Sequence, residues 1–412
     1  MTDLLAHAHT LQDDLVRLRR DLHQIPEIGL DLPQTQQLLL SELEGLPLEI
    51  TTGESLSSIT AVLRGGRAPE RVEDRPVVLL RGDMDALPVT EQTGLDFAST
   101  NGAMHACGHD LHMSLLMGAV RTLCHVRDDL AGDVVFMFQP GEEGLDGARF
   151  MIEEGILDAA GTRADAAFAI HVFSALEPNG TFATRPGPIM AATNKFKATI
   201  RGKGGHGSTP WLATDPVPAL AELVTATHTM VTREYSPFDP VVVTVGKLNA
   251  GTAENVIPAE GTLEATVRCY SETNTTRLGE TLTRLAQGIA SAHGCEAEAS
   301  YRTSYPVTVN DADYAAFTAA TVREVFGDDR YSEWASPLAG SEDFSRVLQE
   351  VPGCYIALSA VPREADHLTS AFNHSPLATY DDGVLADGAA LMAELAVRTI
   401  GRLAGKGGAT HP

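Results

Sequence analysis

The fold is most clearly indicated by Pro76-Val-Val-Leu-Leu-Arg-Gly-Asp-Met-Asp85, in which an apolar run stops at a polar cluster. The same pattern recurs in residues 133–143, in residues 164–171, and in residues 354–359 with the loop that follows them. Short, continuous apolar runs are typical of strands buried on both faces of a sheet, separated by helices such as the one expected at 114–127. Open α/β sheets bind ligands beyond the carboxyl ends of their strands. We therefore predict an α/β fold whose polar clusters meet at one edge of a sheet.

The chain changes character between about residues 195 and 301, where a second domain is expected. A length of 412 residues exceeds what one ordinary core accommodates. The stretch reads strand, helix, strand, strand, helix, strand, an order that predicts a small α+β domain. We predict a catalytic domain formed by residues 1–192 and 304–412, interrupted by an inserted domain at 193–303. The stretches that define the insert are strand-like at 196–200, 241–245 and 262–267, and helical at 216–234 and 276–293.

Composition excludes several classes of function. The formal net charge of -25 repels nucleic acid phosphates and anionic lipid, so neither is expected as a partner. The amino-terminal 20 residues lack the apolar run of a signal peptide, and no stretch approaches the length of a membrane span. Five scattered cysteines, an odd number, do not suggest a disulfide framework. A reducing, cytoplasmic compartment is therefore expected.

The densest polar cluster is Met104-His-Ala-Cys-Gly-His-Asp-Leu-His112, with three histidines, one cysteine and one aspartate in nine residues. Cys107 and His109 are two apart, and thiolates and imidazoles both bind zinc-type metals. A single Cys or His is more often a core residue, but this density favours metal binding. The spacing is not that of a structural zinc finger, which needs two separated pairs. Asp110 is a candidate to hydrogen-bond a ligand from behind.

Carboxylates follow two of the apolar runs. Beside a metal, one of Glu142 and Glu143 can coordinate while the other moves a proton, since consecutive side chains of an extended segment point opposite ways. Asp83 and Asp85 are candidates to orient a ligand or touch the metal, with simple turn formation as the alternative.

His171 and His374 complete the set of candidate ligands. His171 closes one apolar run, and His374 lies in the loop after another. Either histidine alone would more often be structural. Together with the cysteine, histidine and carboxylates above, they suffice for a two-metal site with an open position for water.

At these positions the sequence resembles the M20 family of metallopeptidases, in the branch of aminoacylases, hippurate hydrolases and auxin-conjugate amidohydrolases. The matching stretches occur in the family's order and cover nearly the whole chain. They are Arg19-Arg-Asp-Leu-His-Gln-Ile-Pro-Glu27, residues 81–88, 104–110 and 139–143, Gly205-His206, Asn255-Val-Ile-Pro258, Gly340-Ser-Glu-Asp-Phe344 and His374-Ser-Pro376.

The resemblance implies a zinc-peptidase-like catalytic domain, with a mixed central sheet flanked by helices, and two divalent metal ions. Zinc is expected, with manganese, cobalt or nickel as alternatives. The resemblance assigns Glu142 as general base and acid and Asp85 as the residue that orients the site. Asp83 stands where relatives have a first His ligand, so its role is open. The implied metal ligands are Cys107 as the bridge, His109, Glu143, His171 and His374.

The resemblance also implies that the insert is a ferredoxin-like lid that mediates dimerisation. In that reading His206 would stabilise the oxyanion in the active site of the partner subunit. Asn255 and Arg268 match positions that in related carboxypeptidases hold the substrate's carbonyl or carboxylate, and a planar guanidinium suits a carboxylate. One departure is Pro210-Trp211, where the family often shows Pro-His.

The expected reaction is hydrolysis of the amide bond of an N-acyl-L-amino acid, as in an aminoacylase. A dipeptidase or small carboxypeptidase with the same chemistry is the nearest alternative. Two further alternatives are a catalytically silent metal- or ligand-binding protein and a cysteine hydrolase with Cys107 as nucleophile.

Overall fold

The computed structural model describes residues 3–407, which divide into two compact units. The first contains the described residues up to Gly187, then Val309–Ala335, and those from Arg346 onward. The second contains Pro188–Thr308 and Ser336–Ser345. The predicted insert, 193–303, falls inside the second unit; the roles assigned to the two domains stay predictions.

The helices include several that begin with a side-chain cap, such as Asp215 and Ser271, each of which accepts a backbone N–H of the first turn. No helix among residues 3–407 combines the length and apolar character needed to cross a bilayer. The helices are α1 (Leu4–Thr10), α2 (Gln12–His23), α3 (Pro33–Leu43), α4 (His109–His125), α5 (Gly147–Glu153), α6 (Pro216–Glu234), α7 (Glu272–Ala292), α8 (Ala312–Phe326), α9 (Ser345–Glu350) and α10 (Leu385–Gly407).

The strands form the sheets of both units. They are β1 (Leu48–Thr52), β2 (Ile59–Leu63), β3 (Val77–Asp83), β4 (Asp133–Gln139), β5 (Ala166–Phe173), β6 (Phe182–Thr184), β7 (Gly187–Met190), β8 (Ala192–Arg201), β9 (Gly205–His206), β10 (Val241–Ala250), β11 (Val256–Ile257), β12 (Glu260–Cys269), β13 (Glu296–Tyr305), β14 (Thr308–Asn310), β15 (Tyr331–Glu333) and β16 (Gly353–Ser359).

The first unit is built on one sheet with the strand order β1-β2-β4-β3-β5-β16-β6-β15. Strands β4, β3, β5 and β16 run parallel, whereas β1, β2 and β6 introduce antiparallel pairs, so the predicted mixed sheet is confirmed. Every residue of the four parallel strands is buried. Helices α4 and α10 pack against β3 and β5. Complete burial of the four strands accounts for their continuous apolar runs.

The second unit is built on the antiparallel sheet β10-β12-β8-β13, with α6 and α7 packed on it. The chain order β8, α6, β10, β12, α7, β13 is the α+β order predicted from the sequence. Strand β12 alternates buried with more exposed positions, as expected for a sheet with one covered face. The short strands β9 and β11 pair separately as a two-stranded ribbon.

Helix α4 begins earlier than its sequence pattern predicts. It starts at His109 rather than near Ser114, because Gly108 adopts a left-handed conformation (φ 83°) that turns the chain directly into the helix. His109, Asp110 and His112 are therefore helical residues of the first turn, all buried. This places three polar residues of the nine-residue motif on a rigid element, whereas Cys107 lies just before the helix.

Candidate metal centre

The candidate site lies at the carboxyl edge of the sheet in the first unit. β3, β4 and β5 are parallel neighbours that end at Asp83, Gln139 and Phe173. The carboxyl ends of parallel strands meet at the same edge, so residues beyond β3 and β4 converge with His171, which lies two residues before the end of β5. The segment before α4 adds Cys107, and the loop after β16 adds His374.

Five sequence-predicted ligands lie within bonding reach of common points. Cys107 Sγ lies 3.4 Å from His171 Nε2 and 3.2 Å from His374 Nε2. His374 Nε2 is in turn 3.1 Å from Glu143 Oε1. Cys107, His109 and His171 form one group of donor atoms within 4.8 Å of one another, and Cys107, Glu143 and His374 form another. The two groups share Cys107, which is the arrangement that a bridging ligand between two ions requires.

The imidazole orientations fit metal binding. His109 Nδ1 donates to the carbonyl oxygen of Asp85 at 2.8 Å, and His171 Nδ1 donates to that of Val172 at 2.8 Å. These bonds leave the two Nε2 atoms as acceptors, and His109 Nε2 is buried without a hydrogen-bond partner among residues 3–407. In metal-binding histidines, the N–H of the second ring nitrogen usually donates a hydrogen bond to a carbonyl or carboxylate in this way. The thiol, imidazole and carboxylate donors together fit two zinc-type ions.

Burial and charge set the protonation of this cluster. Burial, reinforced by His112, lowers the pKa of His171 well below its usual value, which keeps the ring in the neutral form that binds metals. Hydrogen bonds to Cys107 and Glu143 raise the pKa of His374 to about 10. The His374 imidazole thus lies between the Cys107 thiol and the Glu143 carboxylate.

Glu142 and Glu143 lie in a tight turn, so the expectation of an extended segment was wrong. Gly141 (φ 77°) and Gly144 (φ 85°) adopt left-handed conformations on either side, and Gly144 N–H donates to the carbonyl of Glu142 at 2.7 Å. Asp85 accepts the backbone N–H of Glu142 on Oδ1 (2.9 Å) and that of Glu143 on Oδ2 (3.0 Å). Both glutamates consequently bring an oxygen within 4.8 Å of a nitrogen of His109.

Two aspartates take roles that the sequence did not resolve. The Oδ2 atom of Asp110 forms an ion pair with Arg19 Nε (2.8 Å) and accepts from His23 Nδ1 (2.7 Å), so its partners are not candidate ligands. Asp83 ends β3 and faces Arg81 (2.6 Å) and His112 (2.5 Å). Burial would raise the pKa of Asp83, but Arg81 and the neighbouring histidines hold it well below its usual range.

Asn373 is a site residue that sequence reasoning missed. Its Nδ2 donates to the carbonyl oxygens of Val172 (3.0 Å) and Cys107 (3.3 Å), and its Oδ1 accepts the backbone N–H of Ser174 (3.0 Å). It thereby joins three segments that carry candidate ligands. The only signal in the sequence was its position next to His374.

The remaining candidate residues lie in the second unit. His206 and Asn255 are neighbours there: β9 pairs with β11, and Gly207 N–H donates to the Asn255 carbonyl at 2.9 Å. His206 is exposed, and its Nδ1 accepts from Ser208 Oγ at 2.8 Å. Arg268 lies on β12, outside this ribbon, and its Nη1 is buried without a hydrogen-bond partner in the described chain. Trp211 is 76% exposed.

Comparison with known proteins identifies the family. The family model described as peptidase family M20/M25/M40 matches residues 79–398. This chain belongs to that family of hydrolases.

Among the relatives is IAA-amino acid hydrolase ILR1-like 2 of Arabidopsis thaliana, 38% identical over 400 residues, which are 96% of this chain and 87% of that one. The N-acetylcysteine deacetylase of Bacillus subtilis is 34% identical over 93% of this chain and 96% of its own. A crystal structure from Bacillus subtilis, described as a dinuclear metal-binding peptidase of the M20 family, superposes with a TM-score of 0.80. It is 30% identical and covers 95% of this chain and 99% of that one.

Proposed function

We propose that this protein is a metal-dependent amidohydrolase that cleaves N-acyl-L-amino acids into a carboxylic acid and a free amino acid. The observation that carries the proposal is the pair of donor groups that share Cys107, with the Glu142 carboxylate beside them. Relatives named for the hydrolysis of IAA-amino acids and of N-acetylcysteine support this substrate class.

The metal ligands in this proposal are Cys107, His109, Glu143, His171 and His374. Zinc is the ion we expect, because a thiolate with imidazoles and carboxylates suits it; manganese, cobalt and nickel are alternatives. When bound, two such ions would polarise the amide carbonyl and lower the pKa of water, so that hydroxide is available as the nucleophile at neutral pH.

The chain's own residues then handle protons and position the substrate. Glu142 takes the proton of the attacking water and gives it to the departing amino-acid nitrogen. Asp85 holds the Glu142–Glu143 turn through two backbone N–H groups.

Residues of the second unit complete the proposed site. His206 donates a hydrogen bond to the carbonyl oxygen as negative charge develops on it, from the partner subunit of a homodimer. Asn255 and Arg268 hold the carbonyl and carboxylate of the substrate. We also propose a reducing, cytoplasmic setting, since all five cysteines are free thiols and Cys107 is needed as one.

The test is release of free amino acid from a panel of N-acyl amino acids and dipeptides. Acyl groups run from acetyl through benzoyl and indoleacetyl to long branched chains, each assayed with chelator and after zinc is restored. Cleavage of acylated amino acids that chelator abolishes and zinc restores is the expected result. Cleavage that persists without metal but stops on thiol alkylation would instead identify a cysteine hydrolase. If the folded, metal-loaded protein cleaves none of these compounds, the result would favour a catalytically silent binding protein.

A dipeptidase is the second candidate, because the superposed Bacillus subtilis structure is described as a peptidase. Both reactions need the same metal centre and the same proton transfer. Activity confined to dipeptides in the panel would select this alternative.

A further inference from the structure

The pairing of β3 with β5 stops before the metal centre. The ladder ends at the Arg81–Ala169 pair, whereas β5 continues to Phe173. Side chains take the place of a strand at Val172: its N–H donates to His112 Nε2 at 2.7 Å, and its carbonyl accepts from Asn373 Nδ2 at 3.0 Å. A buried peptide group needs such partners. His112 therefore satisfies the backbone of the residue next to His171.

The bond from Val172 fixes the tautomer of His112. Nε2 accepts a hydrogen and must be unprotonated, so Nδ1 carries the proton and donates to Asp83 Oδ1 at 2.5 Å. Asp83 Oδ2 accepts from Arg81 Nη1 at 2.6 Å. Asp83 and His112 are completely buried. Asp83, His109 and His112 lie close enough to hold an ion, and Asp83 Oδ2 is 3.6 Å from His109 Nε2. Both His112 nitrogens are nevertheless engaged, and each Asp83 oxygen already accepts one hydrogen bond.

His112 also touches two of the proposed ligands directly. Its ring centroid lies 4.6 Å from that of His171, in an edge arrangement, and 5.2 Å from that of His109, in a stacked one. The ring thus lies against both imidazoles, and any rotation of it would shift both.

We propose that Asp83 and His112 are a positioning pair for the metal centre, and that Asp83 is not itself a ligand. Asp83 fixes the orientation of His112, and His112 sets the separation of His109 and His171 through packing and through the Val172 peptide. The inference rests on the proposed function, because it takes these two histidines as ligands. It accounts for the aspartate that stands where relatives of the family have a first His ligand.

The test is titration of metal-free protein with cobalt(II), followed by calorimetry and by visible absorption, which reports the ligand geometry. Asp83→Asn and His112→Phe should weaken cobalt binding about 10- to 100-fold and change the absorption bands. His112→Gln retains an acceptor for the Val172 N–H and should lose less cobalt affinity than His112→Phe. The control is Asp133→Asn. Asp133 is equally buried and pairs with Arg64 (2.8 Å) and Arg75 (3.3 Å), but at the opposite end of the sheet, at the start of β4.

The control separates positioning from general destabilisation. Asp133→Asn should lower the melting temperature while cobalt affinity stays within about twofold of wild type. Equal losses of affinity in Asp133→Asn and Asp83→Asn would overturn the inference, as would unchanged affinity in both Asp83→Asn and His112→Phe. Loss of one ion in Asp83→Asn with full binding in His112→Phe would make Asp83 a ligand and refute the inference. Failure of the wild-type protein to bind cobalt would instead refute the proposed function, and the inference with it.

Discussion

Asp85 Oδ1 accepts the backbone N–H of Glu142 at 2.9 Å, so the residue expected to orient the site holds the residue expected to move the proton. The other oxygen of Asp85 accepts the N–H of Glu143, and its carbonyl accepts from His109 Nδ1. One residue therefore fixes a turn that carries two carboxylates and the tautomer of a proposed ligand. The contact joins the loops after β3 and β4, which are neighbouring parallel strands.

Replacing Asp85 by Asn should lower kcat about 100-fold with a smaller effect on KM. The amide nitrogen would face a backbone N–H, and a hydrogen bond to a charged group is worth roughly 1.5–3 kcal/mol. Steady-state kinetics on the best substrate of the panel provides the measurement. The matched control is Asp165→Asn, because Asp165 Oδ2 accepts the Val77 N–H (2.8 Å) at the other end of β3. An equal loss of kcat in the control would show that Asp85 acts only through stability.

Replacing Glu142 by Gln should lower kcat by about 10²- to 10⁴-fold, the range that general acid–base catalysis contributes. The amide has nearly the shape of the carboxylate but cannot accept the proton. Elemental analysis of the purified variant should still find two metal ions per chain. A variant that has lost one ion would show that Glu142 is a ligand, and a fully active variant would assign the proton transfer elsewhere.

Replacing Asn373 by Ala should weaken metal binding about tenfold and lower the free energy of unfolding by about 2–3 kcal/mol. The substitution removes its bonds to Val172, Cys107 and Ser174, each worth about 1 kcal/mol. It also frees the neighbouring His374, a non-glycine residue at φ 73°. Denaturant unfolding and metal titration measure the two effects.

Asn310→Ala is the control for this substitution. Asn310 is a buried amide of the same unit whose Nδ2 donates to three oxygens, including the Tyr355 carbonyl at 3.1 Å, and none of the three belongs to a candidate ligand. It should lose comparable stability but retain metal affinity. Retained metal affinity in Asn373→Ala would contradict the role assigned to Asn373.

The fold was predictable from the sequence where the burial of a strand or helix produces a local pattern of apolar residues. β3, β4, β5 and β16 are continuous apolar runs because both faces of their sheet are covered. Helix α6 spans the predicted residues, Pro216–Glu234. The start of α4 was missed because it depends on the left-handed conformation of Gly108, which a glycine permits but does not dictate.

The sequence predicted which residues near the strand ends could bind a metal, but it did not predict the hydrogen-bond partners of the site residues. Asp110 meets Arg19 and His23, which lie 91 and 87 positions earlier in the chain, and no local pattern reports that contact. The turn at Glu142–Glu143 likewise depends on two glycines with positive φ. Local sequence therefore indicates which residues are chemically able, whereas tertiary packing decides what each one faces.

The buried His23 should make stability depend on pH. Burial alone would lower its pKa, but Asp110 and Glu91 raise it above 6.5. A raised pKa in the folded state contributes stability that is fully present below pH 6.5 and lost as the pH rises through the folded value. The difference in unfolding free energy between wild type and His23→Gln should therefore be largest near pH 6 and should shrink above pH 6.5. A difference that stays constant or grows with pH would contradict this assignment.

Mixing two inactive variants should restore activity if His206 serves the partner subunit. His206→Ala removes the proposed oxyanion donor, and Glu142→Gln removes the proton acceptor. In a heterodimer, one of the two sites combines an intact Glu142 with an intact His206. Unfolding and refolding the two variants together at equal concentrations should produce half heterodimers, and hence about a quarter of wild-type activity.

Each variant refolded alone is the control, and light scattering measures the oligomeric state. His206 is exposed and its side chain contacts only the adjacent Ser208 among the hydrogen bonds of the described chain, so the alanine variant should fold normally. If His206 acts within its own chain, no heterodimer contains a complete site and mixing restores nothing. Full activity of His206→Ala alone would show that His206 has no part in the mechanism. A monomer in solution would refute the proposed homodimer.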